Sequence, residues 1–322
     1  MTAIIILNWN GSADTIECLQ SLQKVQDDYF CVVADNGSHD DSIKNIEQYL
    51  QETGVAYRTA LHGEKLNGNP ENHEVIIYKI GENLGFAKGN NEALRFISPS
   101  APDHYLLLNN DTIVEPSFLQ ELLSFSEQHP HIQALTPLIC YHYDHNIIWN
   151  AGGKQFYGFR KYFYAKQPVQ TVKETGHIMV TFLTGCALFF SPNLLRKDGG
   201  IFTEDFFFGE EDFNFCLQMN KRKQPMACVL SSKIYHKVSA STKNSHQWIY
   251  YIHYLNRFID IRKNYSLCAY IAWAIPSTLY AILALTKRGL GFDGMKIMFR
   301  VIRDASKKDT VTHQDFINSI SR

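Results

Sequence analysis

Short apolar runs alternate with longer mixed stretches along the first 130 or so positions. Residues 3–7, 30–34, 75–80 and 105–108 are almost unbroken in apolar side chains. Such runs read as strands of a sheet covered on both faces. Between and after them, helices are expected from Ser12 to about 22, over 40–50, over 86–96 and over 116–127. Strands alternating with helices of this length predict βαβ units and a mostly parallel sheet, an α/β fold. The polar stretch 58–73, rich in Gly, Asn and Glu, reads as a surface insertion. After Asn150 the pattern changes. Gly152-Gly153 and the aromatic run Phe156-Tyr157-Gly158-Phe159 suggest irregular structure or a hairpin. Residues 178–190 read as a strand pair or a strand running into a turn through Thr184-Gly185-Cys186, 212–219 as a helix, and 227–235 as a strand. From Trp248 onward the chain reads as helical.

Each of the first four strands ends in polar residues. These are Asn8-Trp9-Asn10, Asp35-Asn36-Gly37-Ser38, Glu82-Asn83-Leu84-Gly85 and Asn109-Asn110-Asp111. Carboxyl ends of parallel strands lie along one edge, where open α/β sheets bind ligands. A carboxylate among carboxamides, as at Asp111, can hold a hard divalent cation that bridges to ligand phosphates; the same residues also suit a plain Asn/Asp turn. Asp35 can accept hydrogen bonds from a base or ribose. Gly85 and Gly89 allow close backbone approach at a helix start, where Lys88 can meet a phosphate. The first turn, Asn8-Trp9-Asn10-Gly11, lacks the G-x-G-x-x-G of dinucleotide-binding folds, and no G-x-x-x-x-G-K-[ST] is present.

Two further groups stand out. Glu210-Glu211-Asp212 follows Phe206-Phe207-Phe208-Gly209. Acids at a helix start are favoured by the dipole, but in apolar surroundings desolvation also raises a carboxylate towards the range useful for a base. His236, at the end of a strand, reads either as a hydrogen-bonded surface residue or as a ligand for a metal or phosphate.

The chain has 322 residues and a net charge of −1, so overall charge does not point to nucleic acid. Its seven cysteines include no C-x-x-C pair, which favours a reducing cytoplasm over a disulfide framework. A strand already occupies the amino terminus, so no signal peptide is expected. Residues 266–285 carry no charge, meet the length for a membrane span, and precede Lys287-Arg288. A span, a helical hairpin on the membrane face, and a buried core pair all remain open here, with Pro276 weakening the first.

Taken in order, these motifs resemble glycosyltransferase family 2, in particular its rhamnosyltransferase-like branch. The matching stretches are IIILNWNG, VVADNGSHDDS, GENLGFAKGNNEAL, YLLLNNDTIVEP, TGCALFFS, GIFTEDFFFGEEDFNFCLQ and IYHKVSAST, over about residues 2–245. The resemblance implies a GT-A fold, with residues 1–245 as the transferase domain: 1–115 the nucleotide half, 116–245 the acceptor half. Residues 246–322 would be a helical, membrane-associated extension. It implies an inverting transfer of rhamnose or another hexose from a dTDP-, UDP- or GDP-sugar to a glycan, carried on lipid, in surface polysaccharide synthesis. The place would be the inner face of the plasma membrane. Asn8, Asn10, Asp35, Asn83, Gly85, Lys88, Asn90, Asn109, Asn110 and Gly185 would bind the donor. Asp111 and His236 would hold Mg²⁺ or Mn²⁺. Asp212 would be the general base, with Glu211 beside it. The chain departs from the family at Asn214, where an Asp is usual, and at Gln218, where an Arg is usual. Instead of an Arg-Asn pair after Tyr250-Tyr251 it has Leu255-Asn256-Arg257. These changes bear on donor or acceptor identity rather than on the reaction. Two alternatives stand beside this reading: a non-catalytic nucleotide-sugar-binding subunit and a sugar nucleotidyltransferase. The first turn lacks the glycines, Arg and Lys that the latter needs.

Overall fold

The computed structural model describes residues 1–156, 158–238 and 247–320. In chain order its strands are β1 (Thr2–Asn8), β2 (Tyr29–Asp35), β3 (Tyr57–Leu61), β4 (Val75–Lys79), β5 (His104–Asn109), β6 (Thr112–Val114), β7 (Ala134–Tyr141), β8 (Asp144–Asn150), β9 (Gly153–Phe156), β10 (Phe159–Tyr162), β11 (His177–Val180), β12 (Ala187–Phe190) and β13 (Met226–His236). Its helices are α1 (Ser12–Leu22), α2 (Ser42–Thr53), α3 (Phe86–Ile97), α4 (Phe118–Gln128), α5 (Glu211–Lys221), α6 (Gln247–Asn264), α7 (Leu267–Lys287), α8 (Gly291–Ala305) and α9 (His313–Ile320).

The expected parallel sheet forms. The main sheet runs β11-β13-β7-β12-β5-β1-β2-β4-β3, with β6 paired to β13 and β8 to β7. The block β5-β1-β2-β4-β3 is parallel throughout. Strand β12 enters antiparallel between β5 and β7. β1 and β2 are fully buried at Ala3–Ile6 and Phe30–Ala34 because helices cover both faces. Ile4 and Ile6 pack with α1, α2 and α4. Ala3 and Ile5 pack with α3 and α5. The strand order reverses at β1, with β2 on one side and β5 on the other. That reversal opens a crevice at the carboxyl ends, the usual ligand position in this architecture.

Two expectations change. The stretch 58–73 is not wholly an insertion: residues from Tyr57 to Leu61 pair in parallel with β4 as an edge strand. Its side chains are at most partly buried, as suits an edge, and Arg58 and Thr59 interrupt its apolar positions, which conceals it in the sequence. The two strands within 178–190 do form, but not with each other. β11 joins β13, and β12 joins β5 and β7. The glycine-aromatic region forms the hairpin β9–β10. Within the motif IYHKVSAST the last four residues, and the expected boundary at 245, lie outside the described residues, as does Tyr157.

Helix α6 is tied to the acidic motif rather than hanging free. Asn256 donates to the Phe208 carbonyl at 2.7 Å, and Arg257 pairs with Glu210. Behind it, α6, α7 and α8 share an apolar cluster around Ile252, Leu255, Phe258, Leu285 and Met298.

Candidate active site

The edge of the crevice is built from a network of carboxamides. Asn8 is fully buried. Its Nδ2 donates to Asp35 Oδ1 at 2.8 Å and to Ser38 Oγ at 3.1 Å, while its Oδ1 accepts from Thr15 at 2.8 Å. Asp35 also accepts from the Ser38 amide and hydroxyl, at 3.1 and 2.6 Å. With three bonds to the protein, this buried carboxylate keeps little free accepting capacity. Asn8 and Asp35 therefore hold the shape of the edge. Asn10 is exposed beyond them, its backbone N–H bonded to Ser38 and its Oδ1 to the His39 amide.

Asn36, not singled out from the sequence, clamps the next loop. Its Oδ1 accepts from the Leu84 amide at 3.0 Å, and its Nδ2 donates to Asn83 Oδ1 and the Gly85 carbonyl. Gly85 has φ +83, and a Cβ there would stand 2.0 Å from the Phe207 carbonyl oxygen. Only glycine permits that contact, which presses the donor-side loop onto the acidic motif. Lys88, one turn along α3, is exposed. Asn90 is buried and donates to the Phe86 carbonyl of its own helix. Its neighbour Asn91 spans to the chain before α5, bonding the Ile201 and Phe202 amides and the Phe202 carbonyl.

At the end of β5 the chain presents Asn109, Asn110 and Asp111, all partly exposed. Asn110 donates to Thr15 at 3.1 Å. Asp111 Oδ1 lies 3.0 Å from His236 Nε2. The β13 register brings them together, since β13 pairs with β6 and His236 faces Thr112. Burial alone would lower the imidazole pKa. The neighbouring Cys186 and the Asp111 carboxylate overcome it and push it up to about 10. Among the described residues no three His, Cys, Asp or Glu side chains converge as a metal cage. The donors present nonetheless fit a divalent cation of the Mg²⁺ or Mn²⁺ kind, one carboxylate and one imidazole nitrogen 3.0 Å apart, where the ion would displace the proton that Nε2 holds toward Asp111. Such an ion takes its remaining ligands from phosphates and water.

The acidic motif opens α5. Gly209 and Glu210 both turn with positive φ, 82 and 74°. Glu210 is buried, and its non-glycine left-handed backbone is fixed by the ion pair with Arg257. Burial raises the Glu210 pKa, but Arg257 and then Arg160 more than offset it, so the group stays ionised. Arg257 also donates to the Gly158 carbonyl at 2.5 Å and lies 3.5 Å over the Phe213 ring. The two following acids differ. Burial raises Asp212, Arg160 opposes that, and Glu210 adds to it; backbone groups of Gly185 and Phe213 also hydrogen-bond it. Arg160 Nη1 is 3.5 Å from Asp212 Oδ1. Among the described residues Glu211 makes no ion pair, Arg160 opposes its rise only weakly, and its buried Oε2 has no partner. Burial and then the Asp212 charge push it up to about 8. Hence both carboxyls are raised, Glu211 to about 8, and Asp212 is the one with a guanidinium beside it to oppose the rise.

Gly185 stands between the end of β5 and the start of α5. A Cβ on it would be 3.9 Å from Asp212 Cβ. The next residue, Cys186, accepts at its carbonyl from the Asn109 amide at 2.8 Å. Gly185-Cys186 thus touches both the Asn109 end of β5 and Asp212, while Asn8, Asp35 and Asn90 are buried. Arg160 and Arg257 were not among the predicted residues. A signal existed for the second, in the Asn256-Arg257 pair; Arg160 is a single cation in an aromatic hairpin and gives none.

The departures at Asn214 and Gln218 also find partners. Asn214 donates to Asp260 Oδ1 at 2.5 Å, and Gln218 to Asn264 Oδ1 at 2.8 Å. A carboxylate on α6 thus faces α5 at the position where the family usually has one on α5. A cavity of about 330 Å³ beside Asn214, Gln218 and Asn264 contains neither Asp111 nor Asp212.

The parallel block, the antiparallel insertion and the acid-lined crevice at the strand ends define a nucleotide-sugar transferase type of fold. Residues 3–190 match the family described as Glycosyl transferase family 2, and the chain belongs to that family. Among solved structures, it is similar to GalNAc-T7 with UDP, GalNAc and Mn²⁺: TM-score 0.59 and 12% identity, covering 100% of this chain and 56% of that one. It is similar to the mannosyltransferase PcManGT of Pyrobaculum calidifontis, in complex with GDP-Man and Mn²⁺: TM-score 0.55 and 13% identity, covering 96% and 86%. TarS of S. aureus gives TM-score 0.51 and 16% identity, covering 87% of this chain but 42% of TarS. The chain therefore spans less than half the length of TarS. Among curated proteins no sequence matches it.

Proposed function

We propose that this protein is an inverting, metal-dependent glycosyltransferase. It moves rhamnose or another hexose from a nucleoside-diphosphate sugar to a glycan in surface polysaccharide synthesis. The observation that carries this reading is the turn Gly185-Cys186. It bonds Asn109 at the donor edge through one carbonyl and abuts Asp212 on the acceptor side. A sugar bridging these elements has a leaving group on one side and a base on the other, as a single displacement requires.

Asp212 is the general base: burial raises its pKa toward the range useful for a base, and Arg160 beside it opposes that rise. Glu211, protonated, offers a hydrogen bond to the acceptor instead of competing for its proton. Asn10, Lys88, Asn109 and Asn110 bind the donor, on the scaffold held by Asn8, Asp35, Asn83, Gly85, Asn90 and Gly185. Asp111 and His236 hold Mg²⁺ or Mn²⁺, which supplies charge neutralisation for the departing diphosphate. Residues 1–115 form the nucleotide half, 116–245 the acceptor half, and 246–322 the helical extension. The Mn²⁺ in the GalNAc-T7 and PcManGT structures supports the choice of metal. The acceptor is carried on lipid at the inner face of the plasma membrane.

The test is donor hydrolysis by purified protein with Mn²⁺ or Mg²⁺ across dTDP-, UDP- and GDP-sugars, with and without EDTA. Metal-dependent release of one nucleoside diphosphate, lost in Asp212→Asn while nucleotide binding persists, is expected. No release from any donor, together with no nucleotide binding by calorimetry, overturns the reading.

A further inference from the structure

Helices α7 and α8 leave two apolar stripes in solvent. On α7, Leu267, Ile271, Ile275, Leu279 and Leu283 recur every fourth residue and are 48 to 70% exposed. On α8, Phe292, Met295, Phe299 and Ile302 recur at helical spacing, with Phe292 and Phe299 at 67 and 73%. An apolar patch of this extent on a soluble protein marks an interaction surface.

The opposite sides of the same helices are fixed. Ala281 and Leu285 of α7 and Met298, Val301 and Ala305 of α8 pack into one cluster with α6. Gly294 lets α8 approach closely: a Cβ there would lie 2.8 Å from Leu285 Cβ. Helix α6 is in turn bonded to the acidic motif through Asn256 and Arg257. α7 has the length and composition of a membrane span, but crossing would strip it from this cluster. Its geometry is that of a helix lying flat, one side on the protein and the other free.

Charge identifies what covers the free side. Residues 266–308 hold seven Lys and Arg against two Asp, a net of +5 in a chain whose total is −1. The rest of the chain is therefore acidic, and the positive charge is gathered where the apolar stripes are. Lys287 ends α7 and Arg288 follows it. Lys296 sits 4.8 Å over the Phe292 ring, an apolar stem beside an exposed aromatic with a cationic tip. Apolar residues flanked by cations match an anionic bilayer surface, with the stripes in the acyl boundary and the cations at the headgroups. A second copy of this chain would set these cations against each other.

We propose that the α7–α8 face docks in the plane of an anionic lipid bilayer. The face also connects to the crevice. A Cβ on Gly158, in the β9–β10 turn, would stand 2.4 Å from Trp273 Nε1 of α7. Phe159 packs edge-on to Tyr280 at 5.9 Å. The next residue is Arg160, the partner of Asp212. Docking thus brings the acceptor side of the crevice to the lipid surface. Only that last step, the delivery of a lipid-linked acceptor, rests on the transferase reading.

The test is co-sedimentation of the full chain with vesicles of phosphatidylcholine mixed with phosphatidylglycerol, and with phosphatidylcholine alone. Pelleting with the mixed vesicles, weaker by roughly tenfold or more without the anionic lipid, is expected. The exposed pair Phe292→Ser with Phe299→Ser should lose binding by roughly tenfold or more with an unchanged thermal melt. Lys287→Glu with Arg288→Glu, away from the apolar stripes, should lose it as well. No pelleting with either vesicle overturns the proposal. So does a concentration-dependent dimer, seen by sedimentation velocity and abolished in the Phe variant, because the face then belongs to a second copy. Donor hydrolysis and nucleotide binding need no vesicles, so vesicle binding with neither of them removes the transferase reading alone, and hydrolysis without vesicle binding removes this one alone.

Discussion

Arg160 on β10 reaches the Asp212 carboxylate at the start of α5, with Nη1 3.5 Å from Oδ1. The guanidinium lowers the pKa of a carboxylate that burial raises. Replacing it by Gln removes that opposition, so the Asp212 pKa rises and less base is ionised at a given pH. The acidic limb of a kcat/KM profile for Arg160→Gln should therefore move to higher pH. Asp212→Asn should cost roughly 100- to 10,000-fold in turnover at every pH. Glu211→Gln, which keeps a neutral hydrogen-bonding group, should cost much less. A profile for Arg160→Gln with an unmoved acidic limb would separate Asp212 from the role of base.

The Asp111–His236 pair makes a separate prediction. The 3.0 Å contact leaves a carboxylate and an imidazole facing the end of β5. In the proposed site Asp111→Asn removes the carboxylate of this pair, so metal-dependent nucleotide binding should weaken by roughly tenfold or more. His236→Gln should weaken it less. Calorimetry of nucleoside diphosphate with and without Mn²⁺ reads both effects. Equal binding in wild type and Asp111→Asn would remove Asp111 from the metal site.

Much of this crevice was legible in the sequence because it sits where periodicity changes. Unbroken apolar runs located β1, β2, β4 and β5, and the polar residues just beyond each run had to share one edge once the strands were parallel. What periodicity does not carry is the function of those polar residues. Asn8 and Asp35 stand at strand ends like Asp111, yet they bond each other under the surface while Asp111 faces out. The difference lies in tertiary hydrogen bonds, set by where Ser38 and Thr15 return. Long-range cations were hidden for the same reason. Arg160 and Arg257 meet the acids from 52 and 47 residues away, and although the Asn256-Arg257 pair stands out, nothing local marks the acidic partner of either. The edge strand β3 was missed because Arg58 and Thr59 interrupt its apolar positions.

Arg257 neutralises Glu210, a carboxylate only 5% exposed on a left-handed residue. Arg257→Met leaves that charge buried and unpaired, which should destabilise the fold by about 3–5 kcal/mol. Glu210→Gln in the same chain removes the charge and should recover a large part of the loss. Urea unfolding of the two single variants and the double variant gives the coupling directly. Simple additivity of the two single losses would mean that the pair does not act as one unit.

Asp260 couples stability to pH. Burial is the main cause that lifts its pKa from 3.8 to about 7, against the hydrogen bond from Asn214; its Oδ2 has no partner. The folded chain thus holds this proton more tightly than the unfolded chain does. The sign follows: its contribution is fully present below about pH 4, and it is lost as pH rises to about 7. Over that window it lowers stability by about 1 kcal/mol per pH unit. Asp260→Asn keeps an oxygen for Asn214 and Asn264 but cannot ionise. Its unfolding free energy should exceed that of the wild type at pH 8, and the gap should close towards pH 4. Urea titrations of both proteins at pH 4, 6 and 8 test this, and a constant gap across the three would show that Asp260 does not titrate in this range.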